Sequence, residues 1–210
     1  MSRGKLITFE GIDGSGKTTQ IGYLADYLRS FDLDVLLLRE PGGTRIGEDI
    51  RRILLDMRSH KMTSETELFL FEAARAQLVR EVIRPALEKG QWVISDRFHD
   101  SSVAYQGYGR GLSIDLVMAL NDLAIGETVP DLTILLELSP KALAERLEKR
   151  HGEGQGDRID VESDQFKERV SRGFQTMAQA EPQRFIRIES LDEKERTAEL
   201  IRQQVRRILL

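Results

Sequence analysis

Residues 11–18, Gly-Ile-Asp-Gly-Ser-Gly-Lys-Thr, constrain this chain more than any other stretch. They fit G-x-x-x-x-G-K-[ST] at every fixed position, and a short apolar run, Leu6-Ile7-Thr8-Phe9, precedes them and stops at Glu10. The run reads as a buried strand, and residues 17–30, with Ile21, Leu24 and Leu28 on one face, read as the following helix. Glycines at 11, 14 and 16 permit positive φ and let backbone N–H groups curl round an anion without Cβ obstruction. The helix N-terminus then points its free N–H groups and its macrodipole at that anion. Lys17 adds a mobile positive charge and the Thr18 hydroxyl can ligate Mg²⁺. A strand, this loop and a helix in that order specify a nucleotide-phosphate site.

The rest of the chain follows the same alternation. Strands are expected at 33–39, 92–95, 132–138 and 184–189, giving five with the first, mostly apolar throughout. Helices are expected at 46–56, 114–125 (capped by Ser113), 140–150 (Ser139 as cap, Pro140 at its first position), 162–180 and 192–208. Ser64 and Glu67 form a capping-box pattern that opens a long helix to Lys89, kinked at Pro85 and ended by Gly90. Residues 98–111 read as a loop of mixed polarity, and 151–157, HGEGQGD, as a mobile segment. Apolar strands alternating with helices specify an α/β fold of three layers, a five-stranded parallel sheet with helices on both faces. The phosphate loop belongs at the carboxyl ends of the strands. No repeat or linker divides the chain, so 1–210 is read as a single domain.

Composition narrows the partners. A net charge of −4 and a pI near 5.6 argue against a broad nucleic-acid-binding face, so any anion site is local. Cysteine is absent, which excludes disulfides and thiolate metal sites and allows a reducing cytoplasm. The first strand starts too early to leave room for a signal peptide, and the longest apolar runs are too short to span a bilayer. A soluble, cytoplasmic protein without a membrane or nucleic-acid partner is expected. His60, His99 and His151 lack ligand spacing, so no zinc is expected.

Further candidates lie outside the loop. Asp96 ends a buried strand, where phosphate-loop enzymes place a carboxylate near the Mg²⁺ shell. Arg97 follows at once, and its fork suits a second phosphate. Phe71 and Arg75, four residues apart, share a helix face, an aromatic plane beside a guanidinium that could grip a base. Residues 101–111, SSVAYQGYGRG, offer groups that can read base edges and a sugar. Arg39, Arg45, Arg51, Arg150 and Arg158 flank the expected carboxyl edge or the mobile segment.

Taken together, FEGIDGSGKTTQ (9–20), REPGGT (39–44), FxxxR (71–75), DRFxxSSxAYQGxGRG (96–111) and DRID (157–160) resemble the bacterial thymidylate kinase family. The DRF block with REPGGT makes the resemblance specific, since the phosphate loop alone marks only a superfamily. The resemblance implies a phosphate-loop kinase fold with a lid at about 149–159, a homodimer built through helix faces, and Mg²⁺-assisted transfer of the ATP γ-phosphoryl group to dTMP. It implies that Gly11, Ile12, Asp13, Gly14, Ser15, Gly16, Lys17, Thr18 and Thr19 hold ATP, with Arg150 and Arg158 in the lid above it, and that Thr18 and Asp96 meet the metal. It implies that Phe71 stacks on thymine and Arg75 bonds its edge, with Ser101, Ser102 and Gln106 around the base and Tyr105 against the sugar 2′ position. Arg97 would hold the dTMP phosphate with Arg39 and Arg51 near it, and Asp13 would contact the 3′-hydroxyl and orient the acceptor. Lys17, Asp13, Arg97 and Arg150 would carry the catalysis. Family members without a basic residue inside the phosphate loop usually carry several lid arginines. This lid, KRHGEGQGDR, has only Arg150 and Arg158 at its ends, with Arg150 expected at the transferring group, and Asp160 stands where glutamate is more usual.

The fold also admits a deoxynucleoside kinase, which would need a carboxylate base such as Glu10 or Glu40, though an uncharged nucleoside gives Arg97 nothing to clamp. A GTPase-type switch would need an N-K-x-D segment, and the sequence has none.

Overall fold

Strand β1 (Leu6–Glu10) is buried along its whole length because a strand flanks it on each side and helices cover both faces. The computed structural model describes residues 3–138, 157–191 and 193–209. With β2 (Val35–Arg39), β3 (Trp92–Asp96), β4 (Leu132–Glu137) and β5 (Phe185–Glu189), β1 forms a five-stranded sheet in the order β2-β3-β1-β4-β5, every pairing parallel. Side chains alternate across it. Ile7 and Phe9 pack with Ile94 and Ile134 against α1 (Lys17–Arg29) and the C-terminal helix. Leu6 and Val93 face the other way, onto Leu78, Ile83 and Phe98. The expected α/β architecture is the one observed.

The remaining helices are α2 (Arg45–Leu55), α3 (Ser64–Leu78), α4 (Arg84–Glu88), α5 (His99–Ser102), α6 (Ile114–Ile125), α7 (Asp164–Ala180) and α8 (Lys194–Leu209). Most boundaries fall within two residues of expectation, and Ser113 caps α6 as read. The expected helix at 140–150 with its Ser139 cap, the 151–156 part of the expected mobile segment, and Arg150 lie outside the described residues.

Three expectations are corrected. Thr63, not Ser64, caps α3, its hydroxyl accepting from the Thr66 N–H. Glu67 is thereby freed from capping and turned inward, where it is buried. The helix does not run unbroken to Lys89 but widens into a π-helical turn, Val79–Ile83, ahead of Pro85, whose ring nitrogen has no hydrogen to donate. Residues 98–111 are not a loop: α5 continues as a wide π-helical turn, Val103–Gly109. Glycine weakens an isolated helix by about 1 kcal/mol, but packing overrides that here. A Cβ on Gly109 would lie 2.7 Å from the Phe166 ring and 2.9 Å from Val170, so glycine is what lets α7 come this close. The turn brings Ser101 and Ser102 onto the same side as Tyr105 and Gln106.

Candidate active site

A cleft of about 390 Å³ opens at the carboxyl edge of the sheet, between the 11–18 loop on one side and α3 with α5 on the other. That volume suits a ligand of nucleotide size. Among the described residues, no helix is long and apolar enough to cross a membrane.

The loop wall is set by backbone geometry. Gly11 has φ 133°, and a Cβ there would meet the Leu136 carbonyl oxygen at 2.4 Å, so no other residue fits. Gly16, at φ 92°, caps α1 without a side chain, leaving the first-turn N–H groups free of side-chain acceptors. Asp13, Gly14, Gly16, Lys17, Thr18 and Thr19 face the cleft, while Gly11, Ile12 and Ser15 form the back of the loop. The Ser15 hydroxyl is buried there without a hydrogen-bond partner.

Lys17 is buried, and its Nζ donates to the carbonyls of Gly11 (3.0 Å) and Ile12 (3.1 Å). The Asp13 carboxylate stands 4.0 Å away. Burial, with the nearby Arg97 charge, pulls the Lys17 pKa down from its usual value to about 8. Beside it the Thr18 hydroxyl donates to Asp96 Oδ2 at 3.2 Å. A hydroxyl and a carboxylate converging at the mouth of an anion loop are hard oxygen donors, the kind Mg²⁺ takes, so these residues fit that ion.

The opposite wall is set by buried charge. Arg97 sits at φ 70°, a left-handed conformation uncommon for a residue with a side chain. This turn sends Asp96 and Arg97 to different parts of one cleft. Arg97 Nη2 donates to Asp13 (2.9 Å) and to the Tyr105 hydroxyl (3.0 Å), and Nη1 reaches Ser101 at 3.3 Å. Burial alone would lower its pKa, but Asp13 and the other acidic neighbours hold it well above the usual value. Behind it lies Glu10, whose carboxyl accepts from the Phe98 N–H (2.8 Å) and the Ser101 hydroxyl (2.6 Å). Burial first, then the charge of Asp100, raises the Glu10 pKa to about 8.

Phe71 and Arg75 both line the cleft, as their spacing implied. Arg75, however, is spent on the protein itself. Its Nε donates to Glu40 (2.8 Å), its Nη1 to Glu72 (2.6 Å), Ser102 (2.8 Å) and Asn121 (3.1 Å), and its Nη2 to the Phe98 carbonyl (3.1 Å). Nη2 also lies against Glu40. A guanidinium has five N–H groups, and these partners use them all. Arg75 thus lines the cleft with its N–H groups held by protein partners. Arg39 pairs with Glu48 at 3.1 Å, and Arg51 donates to the Pro41 carbonyl at 2.9 Å, both lining the cleft.

Arg158 does not line the cleft. Sequence reasoning put it over ATP, yet it is buried and turned inward, with Nη2 2.6 Å from Glu67 and Nε donating to the Leu54 carbonyl at 2.9 Å. A buried carboxylate has a stronger claim on a guanidinium than solvent does. Its neighbours Asp157 and Ile159 face the cleft instead. Sequence reasoning missed Glu67 as part of the site's framework because its capping-box spacing explained it too well. Glu48 gave no signal beyond its place on α2.

The thymidylate kinase family model matches residues 9–201. The chain is 50% identical to the thymidylate kinase of Desulfovibrio desulfuricans, an alignment covering 88% of this chain and 87% of that protein. It is 47% identical to that of Desulforudis audaxviator, over 98% and 92% of the two. Among solved structures, thymidylate kinase from Ehrlichia chaffeensis matches with a TM-score of 0.78 at 34% identity, covering 97% of this chain and 99% of that one. With the phosphate loop, the buried Arg97 across the cleft from it and this likeness along nearly its whole length, the chain belongs to the thymidylate kinase family.

Proposed function

We propose that this chain transfers the γ-phosphoryl group of ATP to dTMP, giving dTDP for dTTP synthesis, with Mg²⁺ as the assisting ion. The observation that carries this reading is one cleft with two cationic ends, Lys17 in the phosphate loop and Arg97 across Asp13, beside an aromatic and polar wall sized for a base.

The acceptor is a phosphate monoester, already an oxyanion near neutral pH, so no general base is required. That fits the carboxylates nearby. Glu10 is fully buried behind Ser101, and Glu40 is buried at the cleft wall with its Oε2 held by Arg75. Catalysis then rests on alignment and charge. Lys17 meets the donor phosphates. Arg97, with Arg39 and Arg51 near it, holds the acceptor phosphate, and Asp13 fixes Arg97 while orienting the acceptor through its 3′-hydroxyl. Phe71 supplies the plane for thymine, and Tyr105 crowds the sugar 2′ position against ribose. Thr18 and Asp96 would hold Mg²⁺, which when bound neutralises charge on the phosphates. Arg150, outside the described residues, is the arginine that the family resemblance assigns to the transferring group.

The same reading places the protein in the cytoplasm as a homodimer. Ile53 of α2, Phe69 of α3 and Leu123 of α6 expose large apolar side chains on neighbouring helices, a face that favours burial against a second copy. Sedimentation is expected to give about twice the mass of the chain, and a monomer at micromolar concentration would reject that assembly.

A coupled assay with ATP, Mg²⁺, thymidine and a panel of nucleoside monophosphates tests the activity. Turnover of dTMP well above the others is expected. Phosphorylation of thymidine but not dTMP would replace this reading with a nucleoside kinase.

A further inference from the structure

Glu10, Glu40, Glu67, Glu72 and Asp100 are the buried acids among the described residues. All but one have a guanidinium against the carboxylate. Arg75 lies 2.8 Å from Glu40 and 2.6 Å from Glu72, Arg158 2.6 Å from Glu67, and Arg184 2.6 Å from Asp100. Glu10 is the exception. It is fully buried, and the groups that meet its oxygens are neutral, the Phe98 N–H at Oε1 (2.8 Å) and the Ser101 hydroxyl at Oε2 (2.6 Å). A buried charge without an ion partner is costly, and a carboxyl so placed escapes the cost by keeping its proton.

That proton decides the direction of one hydrogen bond. An ionised Glu10 accepts from Ser101. A neutral Glu10, with Oε1 engaged by an N–H, carries its hydrogen on Oε2 and donates it to Ser101 Oγ across the same 2.6 Å. Arg97 Nη1 also donates to Ser101 Oγ, at 3.3 Å. Two donors fill both lone pairs of that oxygen, so the Ser101 hydrogen is left for a ligand. Ser101 and Arg97 both line the cleft. An ionised Glu10 would claim that hydrogen for itself and set a negative charge behind the groups that meet the acceptor phosphate.

We propose that Glu10 is a positioning residue that acts as a neutral acid: its proton turns the Ser101 hydroxyl toward the acceptor phosphate, and dTMP binding holds that proton in place. The proposal rests on the dTMP reading above and deepens it. The charges around Glu10 are of both signs. Asp100 of α5 favours the proton, while Arg97 after β3 and Lys17 of α1 favour its loss. Asp13 and Asp96 act mainly on Arg97, and burial pushes the Tyr105 phenol further from ionising. Asp100 is itself held by Arg184, with His99 at 3.5 Å. Burial outweighs the cations, and the Glu10 pKa is raised to about 8.

Dissociation constants for dTMP, measured by calorimetry on the whole protein without ATP between about pH 7 and 9, test this. A phosphate monoester loses its second proton near about pH 6, so the ligand is a dianion across that range. Glu10→Gln is a neutral isostere whose amide donates to Ser101 and accepts from Phe98 at every pH. It is expected to match the parent at about pH 7 and to bind dTMP about tenfold more tightly than the parent at about pH 9, the factor that one titrating proton gives. Buffers of different ionisation enthalpy count the proton: at about pH 8.5 the parent is expected to take up at least about half a proton more per dTMP than the variant. Thymidine, which lacks the phosphate, is expected to bind parent and variant alike at both pH values. Equal dTMP affinities of the two proteins at both pH values would overturn the proposal. So would a variant weakened by the same factor at both, which marks a merely structural role. If melting shows that Glu10→Gln does not fold, Lys17→Met decides instead. With the other group that titrates near pH 8 removed, dTMP must still take up a proton and thymidine must not. If the parent binds no dTMP, the dTMP reading falls too; if it binds dTMP without this proton, only the role of Glu10 falls.

Discussion

Lys17 and Arg75 are both cations buried in one cleft, 6% and 1% exposed, yet the protein treats them in opposite ways. Lys17 has two carbonyl oxygens within hydrogen-bond reach and its pKa is pulled down to about 8, so the fold disfavours its charge. Arg75 is wrapped by Glu40 and Glu72. Burial would lower its pKa, but these carboxylates raise it above the usual value. The loop wall thus keeps a charge that Asp13, 4.0 Å away, only partly offsets, and an incoming polyanion can use it. Arg75, on the other wall, is neutralised already and serves as framework.

Removing each charge breaks this comparison in the most direct way. Arg75→Met strands Glu40 and Glu72 in the interior, and is expected to destabilise the fold by about 3–5 kcal/mol, the usual result of removing one partner of a buried pair. For a chain of this length that is a fall in Tm of roughly 10 °C. Lys17→Met is expected to do the reverse. A buried amine whose pKa is depressed this far costs about 3 kcal/mol at neutral pH, so its removal should raise Tm by several degrees. Turnover should nonetheless fall by about 10²–10³, the typical loss of one positioned charge on the reacting group. Calorimetric scans and steady-state kinetics on the two variants check both halves. If Lys17→Met melts lower than the parent, or Arg75→Met melts unchanged, the contrast between the walls does not exist.

The same contrast explains what could be read from the sequence. The loop wall depends on backbone conformation, and backbone conformation leaves local marks: Gly11, Gly14 and Gly16 were expected at positive φ and are found there. Strands buried on both faces are apolar throughout, so the sheet was legible, with boundaries good to a residue or two. The far wall depends on pairs distant in sequence. Arg75 meets Glu40 across 35 positions, and Gln106 meets Glu67 across 39, with nothing local to announce either. Arg158 was read as a lid residue because its neighbours in sequence belong to the lid, while its partner in space is Glu67. The glycines at 107 and 109 looked like loop punctuation, when their purpose is close approach to Ile114 and to α7. Spacing identifies which side chains share a face, as it did for Phe71 and Arg75, but not whether a buried acid has already claimed one of them.

The pH dependence of Lys17 gives the finest probe of the loop wall. An ordinary lysine keeps its proton past pH 10, whereas here half the charge is gone near pH 8 in the free protein. Since kcat/KM reports the free enzyme, kcat/KM for ATP is expected to fall about tenfold per pH unit above 8. The phosphates of bound ATP favour the ammonium, so kcat should hold to higher pH and the two profiles should separate. Stability moves the other way. Between about pH 8 and 10.5 the unfolded chain binds the Lys17 proton and the folded one does not, so this residue's contribution to stability rises with pH across that window. Comparing the parent with Lys17→Met isolates the effect, because the variant should lack this rise while other groups titrate alike in both. A kcat/KM limb that follows kcat, with no divergence in stability between parent and variant above pH 8, would mean that Lys17 is solvated like a surface lysine. The loop wall would then hold no uncompensated charge for ATP to use.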